Sequence, residues 1–226
     1  MEVTIASRYR GPLTSANGGY ACGRLAAFVE ADEVEVTLRL PPPLERRLLV
    51  EREAGMVKLL DGDALVAEAR AAPVDIVPPP AISLEEAEAA RERHVRGAGS
   101  EFGECFVCGV RSDGLNVHVG PVAGREPLHA GPVALDPAAP ELVWAAIDCA
   151  GAYAVGAEGR GDVVLGRMTA RVERLPEAGE RCAVAAWPLG EEGRKLHAGT
   201  ALFASAGELL ALAKQVWIVP RAPSAG

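Results

Sequence analysis

Alternating apolar and polar residues predict several strands in the first third of the chain. Residues 33–40, EVEVTLRL, place the apolar side chains on one face and the charged or hydroxyl side chains on the other. This period of two is typical of a half-buried strand. Another apolar run, RRLLVERE, follows a proline turn, and Asp61-Gly62 then separates two more apolar runs, which is a strong hairpin signal. The pattern therefore predicts an antiparallel meander.

A mostly apolar segment before these strands predicts a helix. It lies within LTSANGGYACGRLAAF, residues 13–28, and begins after Asn17-Gly18-Gly19. Asparagine is a preferred N-cap residue, whereas glycine is the poorest ordinary residue for a helix interior. Two adjacent glycines therefore indicate that the backbone approaches another group closely or adopts an unusual turn.

The second half of the chain repeats this order. Residues 141–155 predict a helix with almost no charge except Asp148, strands follow in VVLGRMTARVERL and RCAVAAWPLG, and a hairpin turns at residues 206–207. Two segments of the halves can be aligned, LVAEARA with LLALAKQ, and this alignment matches Ala71 to Gln215. Chance similarity between two strands rich in alanine and leucine is the alternative. The repeated order predicts an α+β fold of two antiparallel sheets, each wrapped around a central helix that is apolar on nearly all faces.

The region between the halves has a different composition. Residues 76–100 begin with a proline run, which does not fit a central strand. Ser83 and Glu86 form a capping-box pattern before LEEAEAARERHV, which predicts a short exposed helix. We therefore expect an N-terminal unit over 1–75, a connector over 76–100 and a C-terminal unit over 101–226.

Composition excludes several functional classes. The chain has 226 residues, 49% of them hydrophobic, and a net charge of −8 without a lysine and arginine cluster, which argues against disorder and against a nucleic-acid partner. The N-terminus lacks a signal-peptide pattern, and no apolar run is long enough for a membrane helix. Five scattered cysteines suit a reducing compartment. We expect a cytoplasmic protein with no membrane partner.

Three short motifs in this order carry a resemblance to a known family. They are Gly18-Gly19 followed by Gly23 in the first helix, Asp148 in the second helix, and Gln215 in LALAKQVWIV at the last strand. Together they resemble the double hot-dog acyl-CoA thioesterases of the thioesterase II type, over most of the chain. The resemblance implies hydrolysis of an acyl-CoA thioester without a cofactor, and it leaves a homo-oligomer open.

The resemblance also implies which residues bind the attacking water. Asp148 and Gln215 match two of the family's water-binding residues. The third is a threonine on the following strand, for which Thr169 in LGRMTARV is the nearest candidate, although its spacing from Asp148 differs by a few residues from the family's. A carboxylate in an apolar helix should have a raised pKa, which makes it a better base. Gln215 and Thr169 could orient the water. The alternatives are that each of these two is an ordinary strand residue, and that Asp148 lies on an exposed helix face or near a buried hydroxyl.

The residues that open the first helix could bind the substrate. Free N–H groups at a helix start and the positive end of the helix dipole could hold an oxyanion or a coenzyme A phosphate. This gives Asn17, Gly18 and Gly19 a substrate-binding role, in one site per chain, where the halves meet and the glycines face Asp148. The alternative is that Asn17 is only a cap and that the glycines serve helix–sheet packing.

Two further motifs offer chemistry. Arg194 and Lys195 fit coenzyme A phosphates by charge, and a solvated hairpin edge is the alternative. Cys105 and Cys108 in ECFVCG provide half of a zinc site. No second such pair exists and no histidine has ligand spacing, so we expect no metal and instead expect cysteines that pack a buried loop.

The competing function is binding without catalysis. A hot-dog protein could hold an acyl-CoA or a related thioester and not hydrolyse it. Hydratases of the same superfamily use an Asp–His pair, and no histidine lies near Asp148 or Asn17 in sequence. Thioester hydrolysis with Asp148 as the base is therefore the leading hypothesis.

Overall fold

The computed structural model describes residues 1–95, 102–156, 163–177 and 179–220. The end of the predicted connector, residues 96–100, lies outside the described residues. None of the helices in the described ranges combines the length and the apolar composition that a membrane crossing requires.

The first half forms the predicted helix and antiparallel strands, but the predicted meander is only partly correct, because the strand at 33–38 pairs with the last strand of this half and not with the next one along the chain. Its elements in chain order are strand β1 (Glu2–Thr4), a short 3₁₀ turn (Ser7–Tyr9), helix α1 (Gly18–Ala26), and strands β2 (Glu33–Leu38), β3 (Arg47–Glu53), β4 (Met56–Asp61) and β5 (Ala64–Ala71). The hairpin at Asp61-Gly62 is confirmed, since β4 and β5 pair antiparallel and Gly62 has a φ of 59°. Glycine adopts this left-handed conformation without steric cost.

The connector contains helix α2 (Leu84–Arg91), with the capping box that the sequence indicates. Ser83 Oγ accepts a hydrogen bond of 3.1 Å from the Glu86 N–H, and the Glu86 carboxylate accepts one of 2.9 Å from the Ser83 N–H. The helix is less exposed than expected, because Ala87 and Ala90 are fully buried. Small alanine side chains let α2 pack closely against β7 and β9.

The second half supplies the remaining elements. They are β6 (Gly120–Pro121), β7 (His129–Ala134), α3 (Pro140–Ala146), α4 (Ala150–Ala154), β8 (Val164–Val172), β9 (Arg181–Glu192), β10 (Lys195–Ala204) and β11 (Leu209–Ile218). The strands in VVLGRMTARVERL and RCAVAAWPLG and the hairpin at residues 206–207 are confirmed.

The predicted second helix is interrupted. The chain leaves helical geometry at Ile147, where φ is −92° and ψ is 6°, and α4 begins only after Cys149. The Gln215 side chain donates to the carbonyl of Ile147, an oxygen that Gly151 N–H would bond in a continuous helix. Gly151 N–H bonds the carbonyl of Asp148 instead, which tightens the turn.

One continuous sheet replaces the two sheets that the sequence predicts. Its eleven strands run in the order β1-β3-β4-β5-β2-β8-β11-β10-β9-β7-β6. The halves join where β2 and β8 pair antiparallel, with Glu35 opposite Thr169. The order outward from β2 mirrors the order outward from β8, because β5, β4 and β3 correspond to β11, β10 and β9. The repeat in element order therefore survives as a symmetric sheet.

The central helices pack against each other on one face of this sheet. Helix α1 contacts α3 and the strands β2, β5 and β8, whereas α4 contacts β9, β10 and β11. Buried residues from both halves form a single hydrophobic cluster around them. A second cluster, under α2, uses the alternate residues of β9, β10 and β11, which lie on the opposite face. The contact between α1 and α3 therefore brings the two halves together.

Candidate active site

Asp148 lies between α3 and α4, against the beginning of α1. The residue is buried, with only 2% of its surface exposed. One carboxylate oxygen, Oδ2, accepts hydrogen bonds from the Gly19 N–H at 2.9 Å and from Asn17 Nδ2 at 2.8 Å. The two halves of the chain thus share one buried carboxylate.

Asn17 has two functions at this position. Its Oδ1 accepts a hydrogen bond of 2.8 Å from the Tyr20 N–H, which makes it the predicted N-cap of α1. Its Nδ2 is directed to Asp148. Because one planar amide makes both bonds, capping the helix also sets the orientation of the amide that holds the carboxylate.

Burial dominates the protonation of Asp148. Removal from water raises the pKa of Asp148 to about 7, against the opposing effect of the hydrogen bond from Gly19. The second oxygen, Oδ1, is also buried and has no hydrogen-bond partner in the described part of the protein. Since a buried polar atom without a partner is costly, Oδ1 is the atom of this site that a bound molecule could contact.

Gln215 lies beside Asp148 but bonds its main chain. Its Nε2 donates to the carbonyl oxygens of Ile147 at 2.8 Å and Asp148 at 3.2 Å, and to Thr200 Oγ1 at 3.2 Å. Its Oε1 accepts from Trp217 Nε1 at 2.8 Å. Gln215 therefore holds the break between α3 and α4 in place.

Thr200 is a buried polar residue that sequence reasoning missed. It lies on β10, is 0% exposed and bonds Gln215. A lone hydroxyl in the otherwise apolar run AGTALFA was the available signal. Buried polar groups are normally hydrogen-bonded, so an isolated threonine in such a strand indicates a buried partner.

The structure does not bring Thr169 to Asp148. In the register of β8, Met168 pairs with Gln215, and Thr169 pairs with Lys214 and Glu35. Successive side chains of a strand point to opposite faces. Thr169 consequently lies on the face away from the helices and away from Gln215.

The glycines of α1 permit close contact between helices. A Cβ on Gly19 would lie 2.5 Å from the Cβ of Asp148 and 2.6 Å from the Trp144 carbonyl oxygen, and one on Gly23 would lie 2.7 Å from the Cα of Glu141. The Gly19 N–H is already bonded to Asp148. Gly18 packs instead against the side chain of Leu165 on β8. Packing thus explains these glycines, and the Gly19 N–H is not free for an oxyanion.

Arg194 and Lys195 lie at the exposed turn between β9 and β10. Arg194 donates to the carbonyl of Val219 at 3.0 Å, and Lys195 Nζ lies 3.8 Å from a Glu192 carboxylate oxygen. Lys195 pairs with Ile218, three residues after Gln215. At ~3.3 Å per residue, this turn is about 10 Å along the sheet from the level of Gln215.

Three cysteines come together next to the carboxylate. The sulfur atoms of Cys105, Cys108 and Cys149 all lie within 4.8 Å of one another. Asn17 Nδ2 lies 3.6 Å from the Cys149 sulfur and 3.9 Å from the Cys105 sulfur. The spacing of Cys105 and Cys108 indicates only a pair, because Cys149 is distant in sequence and joins them only in the folded chain.

Comparisons with known proteins identify the fold. No family model and no curated protein matches the sequence. Among solved structures, a conserved protein of unknown function with a hot dog fold from Alicyclobacillus acidocaldarius has a TM-score of 0.67 at 13% identity, with 98% of this chain and 93% of that chain covered. The chain has a hot-dog fold. The hot-dog fold expected from the resemblance is thereby confirmed, whereas the expected arrangement of two separate sheets is not.

Other solved structures that match are named for different activities. The acyl-CoA thioesterase II TesB2 from Mycobacterium marinum has a TM-score of 0.60 at 14% identity, covering 100% of this chain and 94% of that one. The dehydratase domain of a mycocerosic acid synthase-like polyketide synthase has a TM-score of 0.60 at 15% identity, covering 95% and 89%. The hot-dog fold therefore does not by itself choose a reaction, and the function must be argued from the site.

Gly151→Ala is expected to displace Gln215. A Cβ on Gly151 would clash with Gln215 Oε1 and would lie 2.8 Å from Trp217 Nε1. The glutamine side chain must therefore move, which breaks its hydrogen bond with Trp217. Overpacking of this kind costs about 1–3 kcal/mol of stability. Chemical denaturation followed by tryptophan fluorescence measures the loss. An alanine variant with native stability would show that Gln215 is not held against α4 in this way.

Proposed function

We propose that this protein hydrolyses acyl-CoA thioesters, with Asp148 as the group that activates the attacking water. The observation that carries the proposal is the Asp148 carboxylate itself. It is buried where the two halves meet, with Oδ2 held by Gly19 and Asn17 and with Oδ1 unpartnered among the described residues. The likeness in fold between this chain and a thioesterase II supports the substrate class.

The proposed reaction assigns a step to each group. Water bonded to Asp148 Oδ1 attacks the thioester carbonyl carbon and transfers a proton to the carboxylate. The tetrahedral intermediate then breaks its carbon–sulfur bond, and the proton passes to the departing thiolate. The products are a free carboxylic acid and the thiol of coenzyme A. Gly19 and Asn17 keep the carboxylate oriented through both steps.

Gln215 and Thr200 are proposed as positioning residues. Gln215 bonds the carbonyl oxygens of Ile147 and Asp148, which flank the base, and Thr200 bonds Gln215. This places the side chain of Asp148 toward α1. We propose Thr200 in place of Thr169 as the hydroxyl of the site, because Thr169 lies on the other face of the sheet.

A panel of acyl-CoA substrates tests the proposal. The full-length protein should release free coenzyme A thiol, measured with a thiol reagent, from at least one acyl-CoA of short, medium, long or branched chain. The reagent also reacts with protein cysteines, so a sample without substrate gives the background. Stabilisation by an acyl-CoA in a thermal shift assay, without release of thiol from any member, would establish binding without catalysis and overturn the proposal.

Arg194 and Lys195 are proposed to bind the phosphates of coenzyme A. Replacing both with alanine should raise KM for an acyl-CoA about threefold to tenfold, since an exposed ion pair contributes roughly 0.2–1 kcal/mol. The KM for the matching acyl pantetheine, which lacks the nucleotide phosphates, should not change. The control is the double alanine variant of Arg46 and Arg47, an exposed basic pair by the edge strand β1. An equal rise in KM for both substrates would refute this assignment.

We propose that each half of the chain forms its own hot-dog unit. Residues 1–75 hold α1 with β2 to β5, and residues 101–226 hold α3 and α4 with β8 to β11. The mirrored strand order about the pair β2 and β8 supports this division. Because Asp148 comes from the second unit and its donors come from the first, the proposal gives one such site per chain.

A further inference from the structure

The spacing of the clustered thiols suits a metal ion. The sulfur atoms of Cys105 and Cys149 lie 3.8 Å apart, and Cys108 completes a group within 4.8 Å. In a tetrahedral zinc site with Zn–S distances of about 2.3 Å, two sulfur atoms lie about 3.8 Å apart. A disulfide would need about 2.05 Å. The spacing of Cys105 and Cys149 thus fits two ligands on one zinc ion and does not fit a disulfide.

The turn that carries Cys105 and Cys108 is a second, independent observation. The Val107 N–H donates to the Cys105 sulfur at 3.4 Å, and the Gly109 N–H donates to the Cys105 carbonyl at 2.9 Å. A Cβ on Gly109 would lie 2.5 Å from that carbonyl oxygen, so the tight turn requires glycine. The turn directs a backbone donor at a sulfur atom, an arrangement that stabilises a thiolate, and metal ligands must be thiolates.

Asn17 supplies one further donor, because its Nδ2 has two hydrogens and donates one of them to Asp148. Its Nδ2 lies within hydrogen-bond range of the sulfur atoms of Cys149 and Cys105. Groups that bond metal ligands orient them and tune their charge. The cysteines are 1%, 7% and 7% exposed, so negative sulfur atoms here need compensation that bulk water does not provide.

We propose that Cys105, Cys108 and Cys149 bind one Zn²⁺ ion through three thiolates, with a solvent molecule as the fourth ligand. Soft thiolate ligands select zinc over magnesium or calcium. The site would tie the turn at residues 105–109 to the break between α3 and α4. This proposal replaces the expectation of no metal, which rested on the lack of a second cysteine pair and of a histidine with ligand spacing in the sequence. It does not depend on thioester hydrolysis.

Metal content tests the site directly. Untagged full-length protein from cells grown with added zinc should contain about one zinc per chain, as a single tetrahedral site requires. Each of the variants Cys105→Ser, Cys108→Ser and Cys149→Ser should lose most of it. Cys22→Ser and Cys182→Ser are matched controls, because both cysteines are buried but lie outside the cluster, and both variants should keep the metal. Zinc-free wild-type protein, or any cluster variant with wild-type zinc content, overturns the proposal.

Cobalt substitution covers the case in which the serine variants do not fold. The wild-type protein is stripped with a chelator under reducing conditions and titrated with Co²⁺. Intense thiolate-to-cobalt charge-transfer absorption, saturating at about one equivalent, is expected for a site of this kind. A titration without these bands would overturn the site. Zinc content and cobalt absorption are read without a turnover assay, so an inactive protein with bound zinc would refute only the proposed hydrolysis.

Discussion

Asp148→Asn is expected to lower the turnover of the best acyl-CoA substrate by a factor on the order of 10²–10⁴, the usual range for loss of a general base. The asparagine is nearly isosteric, and its side-chain oxygen can still accept the hydrogen bonds from Gly19 and Asn17. It cannot take a proton from water. The loss should therefore appear mainly in kcat, with the protein still folded, and steady-state kinetics of purified protein measure it.

A matched substitution separates the loss of the catalytic base from the effect of removing any one aspartate charge. Asp63 lies at an exposed turn between β4 and β5. Asp63→Asn makes the same chemical change and should leave kcat and KM at their wild-type values. If Asp148→Asn retains wild-type kcat on a substrate that the parent hydrolyses, Asp148 is not the base.

Gly19→Val is expected to prevent stable folding, and Gly19→Ala to cost about 3 kcal/mol, at the upper end of typical overpacking effects. The added Cβ would meet the Cβ of Asp148 and the main-chain oxygen of Trp144, both under 3 Å away. A backbone atom of a packed helix cannot move aside alone. Chemical denaturation of the alanine variant, followed by circular dichroism, measures the cost.

Gly18→Ala is the control for this prediction. Its new Cβ would lie 3.0 Å from Cδ2 and 3.1 Å from Cβ of Leu165, neither of which is a main-chain atom. We expect a cost below about 1 kcal/mol, because a flexible neighbour relaxes more easily than backbone. If the glycines served to admit substrate to the helix start, Gly19→Val would fold normally and lose only activity. A valine variant with native stability would therefore contradict the helix contact described here.

The interrupted helix shows why part of the site, Asp148 and Gln215, could be predicted from the sequence. Asp148 is an ionisable residue in an apolar segment, and Gln215 is an amide in an apolar strand. A carboxylate is expensive to bury without a reason, so the residue type of Asp148 indicated a buried polar site, whereas Gln215 was assigned to it through the family resemblance. The sequence could not show that Gln215 bonds main-chain carbonyls and not the carboxylate. That depends on how β11 lies under the break in the helix.

The sequence by itself determined the local elements. Strand periodicity, the Asp61-Gly62 turn, the Asn17 cap and the capping box at Ser83 depend on neighbours a few residues away, and all of them occur in the structure. Only the tertiary structure decided that the halves share one sheet, because the pairing of β2 with β8 joins residues distant in sequence. The same register put Thr169 on the outer face, and folding brought Cys149 to the other two cysteines. Local patterns record which face of an element is apolar, but they do not record which distant element covers that face.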